Sequence, residues 1–202
     1  MMTVNQIRVG PMQNFSYLLV DQASREAMAI DSGWETEPIV EAARLEKAAV
    51  GYVVATHGHF DHVQTIRELA KRLGAKVVAH EASEIDPEVR VKGGDVLKLG
   101  DASVEIVYTP GHTEDGICLF DGRNLFTGDT LFIGNCGRTD LPGGSVEKLY
   151  HSLHDTILAL PPETVIYPGH DYGDVPSRRL GEERKTNPAL LARSLREFVG
   201  VE

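Results

Sequence analysis

The chain has 202 residues, 42% hydrophobic and 25% charged, and twenty basic against thirty acidic residues give a net charge of −10. A compact domain of this length buries roughly 70% of its unfolded surface, so it needs no disulfide framework, and the only cysteines are Cys118 and Cys136. The acidic balance argues against a nucleic-acid partner. With no basic-then-apolar run in Met1 to Gly10 and no stretch of ~18 apolar residues, the expectation is one cytoplasmic domain over 1–202 with no membrane partner.

Phe15 to Val20 and Ala27 to Ile30 read as strands joined by a turn over Asp21 to Glu26. Thr36 to Ala48 reads as a helix with Pro38 in its first turn. Gly51 to Ala55 is a buried strand by its apolar, β-branched run. Val63, Ile66, Leu69, Ala70 and Leu73 keep helical spacing up to Gly74, and Lys76 to Ala79 is another strand. Val96 to Leu99, Val104 to Tyr108, Ile117 to Phe120 and Asn124 to Thr127 are strands separated by polar and glycine-rich turns. Val146, Leu149, Leu153, Ile157 and Leu160 form one helix face, stopped by Pro161-Pro162. Thr164 to Tyr167 is a last strand, and Ser177 to Val199 is charged with a helical pattern. No linker or short repeat divides the chain. The order predicts an α/β protein with helices covering sheets.

The chemistry concentrates in Thr56-His57-Gly58-His59-Phe60-Asp61-His62, between a strand and a helix. Three imidazoles and a carboxylate in six residues offer nitrogen and oxygen donors to a divalent metal. In extended backbone His57 and His59 point the same way, so they can grip one ion. Asp61 and His62, at the turn into the helix, can face a second. His112, Asp129 and His170 each follow a strand, and each is preceded by a glycine (Gly111, Gly128, Gly169) that lets backbone approach a crowded site. Burying so many polar groups together without a cation would be costly. His151 and His154, three apart on a helix, favour an exposed face, and His80 a structural role. Asp31, at a strand end, either holds a ligand histidine or makes a turn.

The sequence THGHFDH, followed by the GHT, GDT and PGH runs around His112, Asp129 and His170, resembles the metallo-β-lactamase superfamily over nearly the whole chain. The resemblance implies an αββα sandwich of two mixed sheets flanked by helices. It implies that His57, His59 and His112 bind one ion, that Asp61, His62 and His170 bind another, and that Asp129 bridges them. His59 stands where flavin-dependent diiron members typically have Glu, and Asp129 where one class of β-lactamases has Cys. Gly128-Asp129-Thr130-Leu131-Phe132, followed by Cys136-Gly137-Arg138, is similar to the glyoxalase II group and its relatives.

Two branches of that group compete. The main expectation is a glyoxalase II-like hydrolase of a small-molecule thioester, such as a hydroxyacylglutathione. It would use two divalent ions (zinc first, iron or manganese otherwise) and a metal-bridging hydroxide that Asp61 orients as it shuttles the proton. The alternative is a persulfide dioxygenase with one Fe(II) on His57, His112 and Asp129, acting on glutathione persulfide; CGRTD and IYPGHDY resemble that branch, while Gly137 to Gly144 also resembles short, single-domain glyoxalase II-like hydrolases. A purely structural metal site would be closed and cysteine-rich, which this donor set is not. Arg138 and Tyr172 occupy positions similar to substrate contacts. Arg138 reads equally as a carboxylate holder or as the ion-pair partner of Asp140, and Tyr172 equally as a packed aromatic. Cys136 is expected to pack rather than act as nucleophile, and Cys118 to lie in the core. Arg178, Arg179, Arg184 and Lys185 read as a solvated helix face.

Overall fold

The computed structural model describes residues 2–201. The first half runs β1 (Met2–Val9), β2 (Asn14–Asp21), β3 (Glu26–Ile30), α1 (Glu37–Glu46), β4 (Ala49–Val54), α2 (Phe60–Val63), α3 (Ile66–Leu73), β5 (Lys76–His80) and β6 (Val89–Val91). The second half opens with β7 (Val96–Leu99), β8 (Ala102–Tyr108), β9 (Ile117–Phe120) and β10 (Asn124–Gly128), then the small hairpin β11 (Leu131–Phe132) and β12 (Asn135–Cys136). It ends with α4 (Val146–His151), β13 (Val165–Pro168), β14 (Arg178–Arg179), α5 (Leu180–Thr186), α6 (Pro188–Leu191) and α7 (Leu195–Phe198).

The strands form two six-stranded sheets, ordered β1-β2-β3-β4-β5-β6 and β14-β13-β10-β9-β8-β7. Both are mixed. In the first, β1, β2 and β3 pair antiparallel and β3 to β6 parallel. In the second, only β10 and β13 are parallel.

Strand alternation explains the layering. Tyr17 and Leu19 of β2 face Ile106, Leu119 and Phe126 of the other sheet in a core between the sheets. Their neighbours Leu18 and Val20 point outward, onto Ile39 and Ala43 of α1 and Ile66 and Leu69 of α3. On the far side, Cys118, Leu125 and Ile166 pack against Leu149, Leu180, Leu190 and Phe198 of α4 to α7. Helix, sheet, sheet and helix therefore stack in four layers, each sheet apolar on both faces. Among the described residues no helix is long and apolar enough to cross a membrane.

Several elements depart from the sequence pattern. β1 carries Thr3, Asn5, Gln6 and Arg8 and is only partly buried; this edge strand lacks the apolar run that marks a core strand. β6 has three residues, too few to show a period. The helix expected up to Leu160 breaks after α4 into a π turn over Ser152–Thr156 and a 3-10 turn over Ile157–Ala159. The tail is not one helix. Pro188 begins a new helix whose first turn is capped by Asn187, and Ser194 caps another.

Strand direction positions the site. β3 and β4 run parallel, so Asp31 and Thr56 emerge side by side at their ends. β8 and β10 both pair antiparallel with β9 and so share a direction, which β13 shares too. The segments carrying His112, Asp129 and His170 therefore leave their sheet at one edge.

Candidate metal centre

Beyond β4 the chain bends at Thr56 and His57 rather than staying extended, is extended again at His59, and then turns into α2, which carries Asp61 and His62. All seven expected donors meet at the sheet edge. Three triads have donor atoms within 4.8 Å of one another: His57, His59 and His112; His57, His62 and Asp129; and Asp61, His62 and His170. Glycine makes the approach possible. At Gly128, φ is +48° and a Cβ would lie 2.5 Å from Thr56 Oγ1; at Gly169 a Cβ would lie 2.3 Å from Asp129 Oδ1.

Each ring is held from behind. His62 Nδ1 donates to Asp31 Oδ2 at 2.8 Å, and Asp31 also accepts from the Thr56 amide and hydroxyl. Of the two roles its position suggested, Asp31 thus holds a candidate ligand histidine, and it sits at φ +54°. Since Thr56 gives its proton to Asp31, its oxygen accepts from His57 Nδ1 at 3.1 Å. His112 Nδ1 donates to the Arg138 carbonyl at 2.7 Å, and His170 Nδ1 to the Met12 carbonyl at 2.9 Å. Asn14 donates to Asp61 Oδ2 at 2.9 Å and is itself fixed by the Trp34 indole. Sequence reasoning missed Asn14, Trp34 and Met12. An asparagine opening a strand reads as a turn residue, and a carbonyl partner leaves no trace in residue type.

These outer bonds set the tautomers and aim the remaining lone pairs inward. His62 Nε2 and His170 Nε2 then face each other at 3.2 Å, a contact that neutral rings would leave without a proton and that a proton or a metal cation relieves. His59 Nδ1 lies 3.1 Å from His57 Nε2 and 3.0 Å from His112 Nε2, and can protonate only one of those contacts. Asp129 Oδ1 is buried without an aligned hydrogen bond, although His62 Nε2 is 3.3 Å away. Opposed lone pairs and an orphaned carboxylate oxygen fit a shared cation, and imidazole with carboxylate suits a borderline divalent metal.

Burial pushes the His57 imidazole well down, and the neighbouring His62 adds to this. Burial, then His112, likewise lowers His59. For His62 burial is outweighed by the Asp129 and Asp31 carboxylates, which hold it well above its ordinary value. Burial of His170 is outweighed by its hydrogen bonds to Asp129 and Asp61, and it is pushed up to about 9. Burial raises both carboxyls, but His62 and His170 hold Asp129, and His170 and His62 hold Asp61, below the usual range.

A cavity of about 810 Å³ opens over this cluster, floored by His59, Asp61, His112, Asp129 and His170. Arg138 and Tyr172 both line it. Arg138 makes a bidentate pair with Asp140, both bonds 2.5 Å. Tyr172 stacks on His170 at 4.6 Å and meets Phe132 edge-on, half exposed. Cys136 lines the same cavity and packs in the outer core, while Cys118 lies fully buried. The other histidines stay apart. His80 stacks on Tyr108, His151 pairs with Asp155, and His154 bonds the Ala189 carbonyl. Arg178 and Arg184 are not a solvated face: Arg178 pairs with Asp174 and Glu183, and Arg184 donates to the Leu158 and Leu160 carbonyls.

The metallo-beta-lactamase superfamily profile matches residues 9–170. This chain belongs to that superfamily. Among its members, human mitochondrial persulfide dioxygenase ETHE1 is 38% identical over 192 residues, covering 93% of this chain and 75% of that protein. The crystal structure of ETHE1 from Myxococcus xanthus superposes with a TM-score of 0.93 at 33% identity, covering 98% of this chain and 88% of that one. A hydroxyacylglutathione hydrolase from Polaromonas sp. is 36% identical over 179 residues, covering 85% of this chain and 67% of that protein.

Proposed function

We propose that this protein is a persulfide dioxygenase, converting the persulfide of a low-molecular-weight thiol, with one dioxygen and one water, into the thiol and sulfite. The observation that carries this reading is the similarity to the Myxococcus xanthus ETHE1 structure across 98% of the chain. The match to human ETHE1 supports it further. The thioester hydrolase expected first from the sequence has the weaker support.

On this reading His57, His112 and Asp129 hold one Fe(II), as a two-histidine, one-carboxylate set. Bound there, the iron would supply the open positions and electron-transfer chemistry that dioxygen requires. The chain's own residues do the rest. Arg138 and Met12 orient the His112 and His170 rings through their carbonyls. Asp61, anchored by Asn14 and 3.4 Å from His170 Nε2, stands at the cavity floor to take up the proton of the consumed water.

A second reading keeps seven donors for two divalent ions, zinc among them, and hydrolyses a thioester. Three converging triads and the Polaromonas match favour it. The deciding experiment uses iron-loaded protein purified without oxygen. Oxygen uptake on adding low-molecular-weight persulfides, with one sulfite formed per dioxygen, is the expected result. No uptake, together with cleavage of a hydroxyacylglutathione, would replace this reading by the hydrolase.

A further inference from the structure

The segment that leaves β3 clasps the donor-bearing turn from behind. Asp31 holds His62, the Ser32 amide donates to the His62 carbonyl at 2.8 Å, and Trp34 donates its indole N–H to Asn14 Oδ1 at 2.8 Å. An indole nitrogen can only donate, so the Asn14 atom that faces it must be the carbonyl oxygen. That fixes the far end of the amide. Nδ2 faces Asp61 and donates to its Oδ2 at 2.9 Å and to its backbone carbonyl at 3.2 Å. Asn14 is 2% exposed, so solvent cannot replace either partner.

The Asp61 carboxylate is thereby made asymmetric. His170 Nε2 and His62 Nε2 also approach its Oδ2, at 3.4 and 3.5 Å. Among the described residues none hydrogen-bonds Oδ1, and that atom is not sealed from the cavity that Asp61 lines. Resting on the proton-accepting role given to Asp61 in the persulfide reading above, we infer that Trp34 is a positioning residue for the reaction: acting through Asn14, it pins Oδ2 and leaves Oδ1 as the oxygen that meets the consumed water. Trp34 does not itself line the cavity and meets the mouth only through Phe60, edge-on at 5.8 Å. Without the indole N–H, the buried Asn14 oxygen lacks a donor, and the side chain turns away from Asp61 to find one. A proton acceptor left free to rotate loses rate without losing substrate binding.

The test compares iron-loaded wild type, Trp34→Phe and Trp34→His in oxygen uptake with glutathione persulfide. Phenylalanine keeps a ring against Phe60 but has no N–H. Histidine is smaller, yet its imidazole overlays the five-membered ring of indole and puts Nε2–H where Nε1–H stood. Trp34→Phe is expected to lower kcat about tenfold with KM within about twofold of wild type, and Trp34→His to return kcat to within about threefold of wild type. A packing role would rank the variants the other way, because histidine leaves the larger void. That order would overturn the inference, as would a raised KM at unchanged kcat, or no change in either. The crystal structure of Trp34→Phe reads the same point without turnover. Asn14 is expected off Oδ2 and the Asp61 carboxylate turned, and an unmoved Asp61 would overturn the inference. If wild type draws no oxygen with the persulfide, the dioxygenase reading falls, and that structure decides the role of Trp34 by itself.

Discussion

Asp31 shows how one side chain can hold two donors. Its carboxylate takes the His62 Nδ1 proton and both Thr56 donors, and Thr56 in turn fixes His57. Removing the charge while keeping the shape is therefore informative. Asp31→Asn is expected to lower metal affinity by about 10–100-fold, measured by competition with a chelator, while its circular dichroism spectrum stays as in wild type. Asparagine accepts the positive φ of this position, so a lost fold would point to a different role. The donors themselves were legible in the sequence because metal-binding residue types crowd six positions and recur after strand-end glycines. Their supports were not. Carbonyls of Met12 and Arg138 act without any residue-type signature, and Asn14 comes within reach of Asp61 only through long-range folding.

The hairpin β11–β12 carries much of the cavity wall, and the tail holds it in place. Fully buried Glu183 on α5 accepts from the Gly134 amide at 2.8 Å, from Asn187 and from Arg178. Asn187 also donates to the Phe132 and Asn135 carbonyls. Truncating this acid leaves the Gly134 amide without its partner and leaves Arg178 with Asp174 but without its buried carboxylate. Glu183→Ala is expected to cost about 3 kcal/mol in a denaturant titration and to raise KM for the persulfide more than it lowers kcat. The tail's charged pattern suggested a solvated face, because periodicity cannot distinguish a charge turned inward onto a partner from one turned to water. Strands such as Ile117 to Phe120 were readable for the opposite reason. They are buried on both faces, so their apolar character survives inspection of either period, whereas the half-polar edge strand β1 gave no such run.

At the scale of the molecule, the site ties metal content to stability. In metal-stripped protein the folded state keeps the His170 proton up to about pH 9, against 6.5 for an ordinary histidine. That proton's stabilisation is complete below pH 6.5 and is lost as pH rises through about 9, and the raised His62 acts in the same direction. The melting temperature of chelated protein is therefore expected to fall between pH 6.5 and 9, with a much flatter profile once metal replaces the protons. A flat profile in the chelated protein would remove these histidines from the account.

The three triads share one property. Each takes two members from His57 to His62 and its third from His112, Asp129 or His170, on loops of the opposite sheet. A growing chain consequently cannot close any of them until its second half has folded onto its first. Metal retention is therefore a readout of complete assembly: tight binding is expected only of molecules whose two sheets have docked in register.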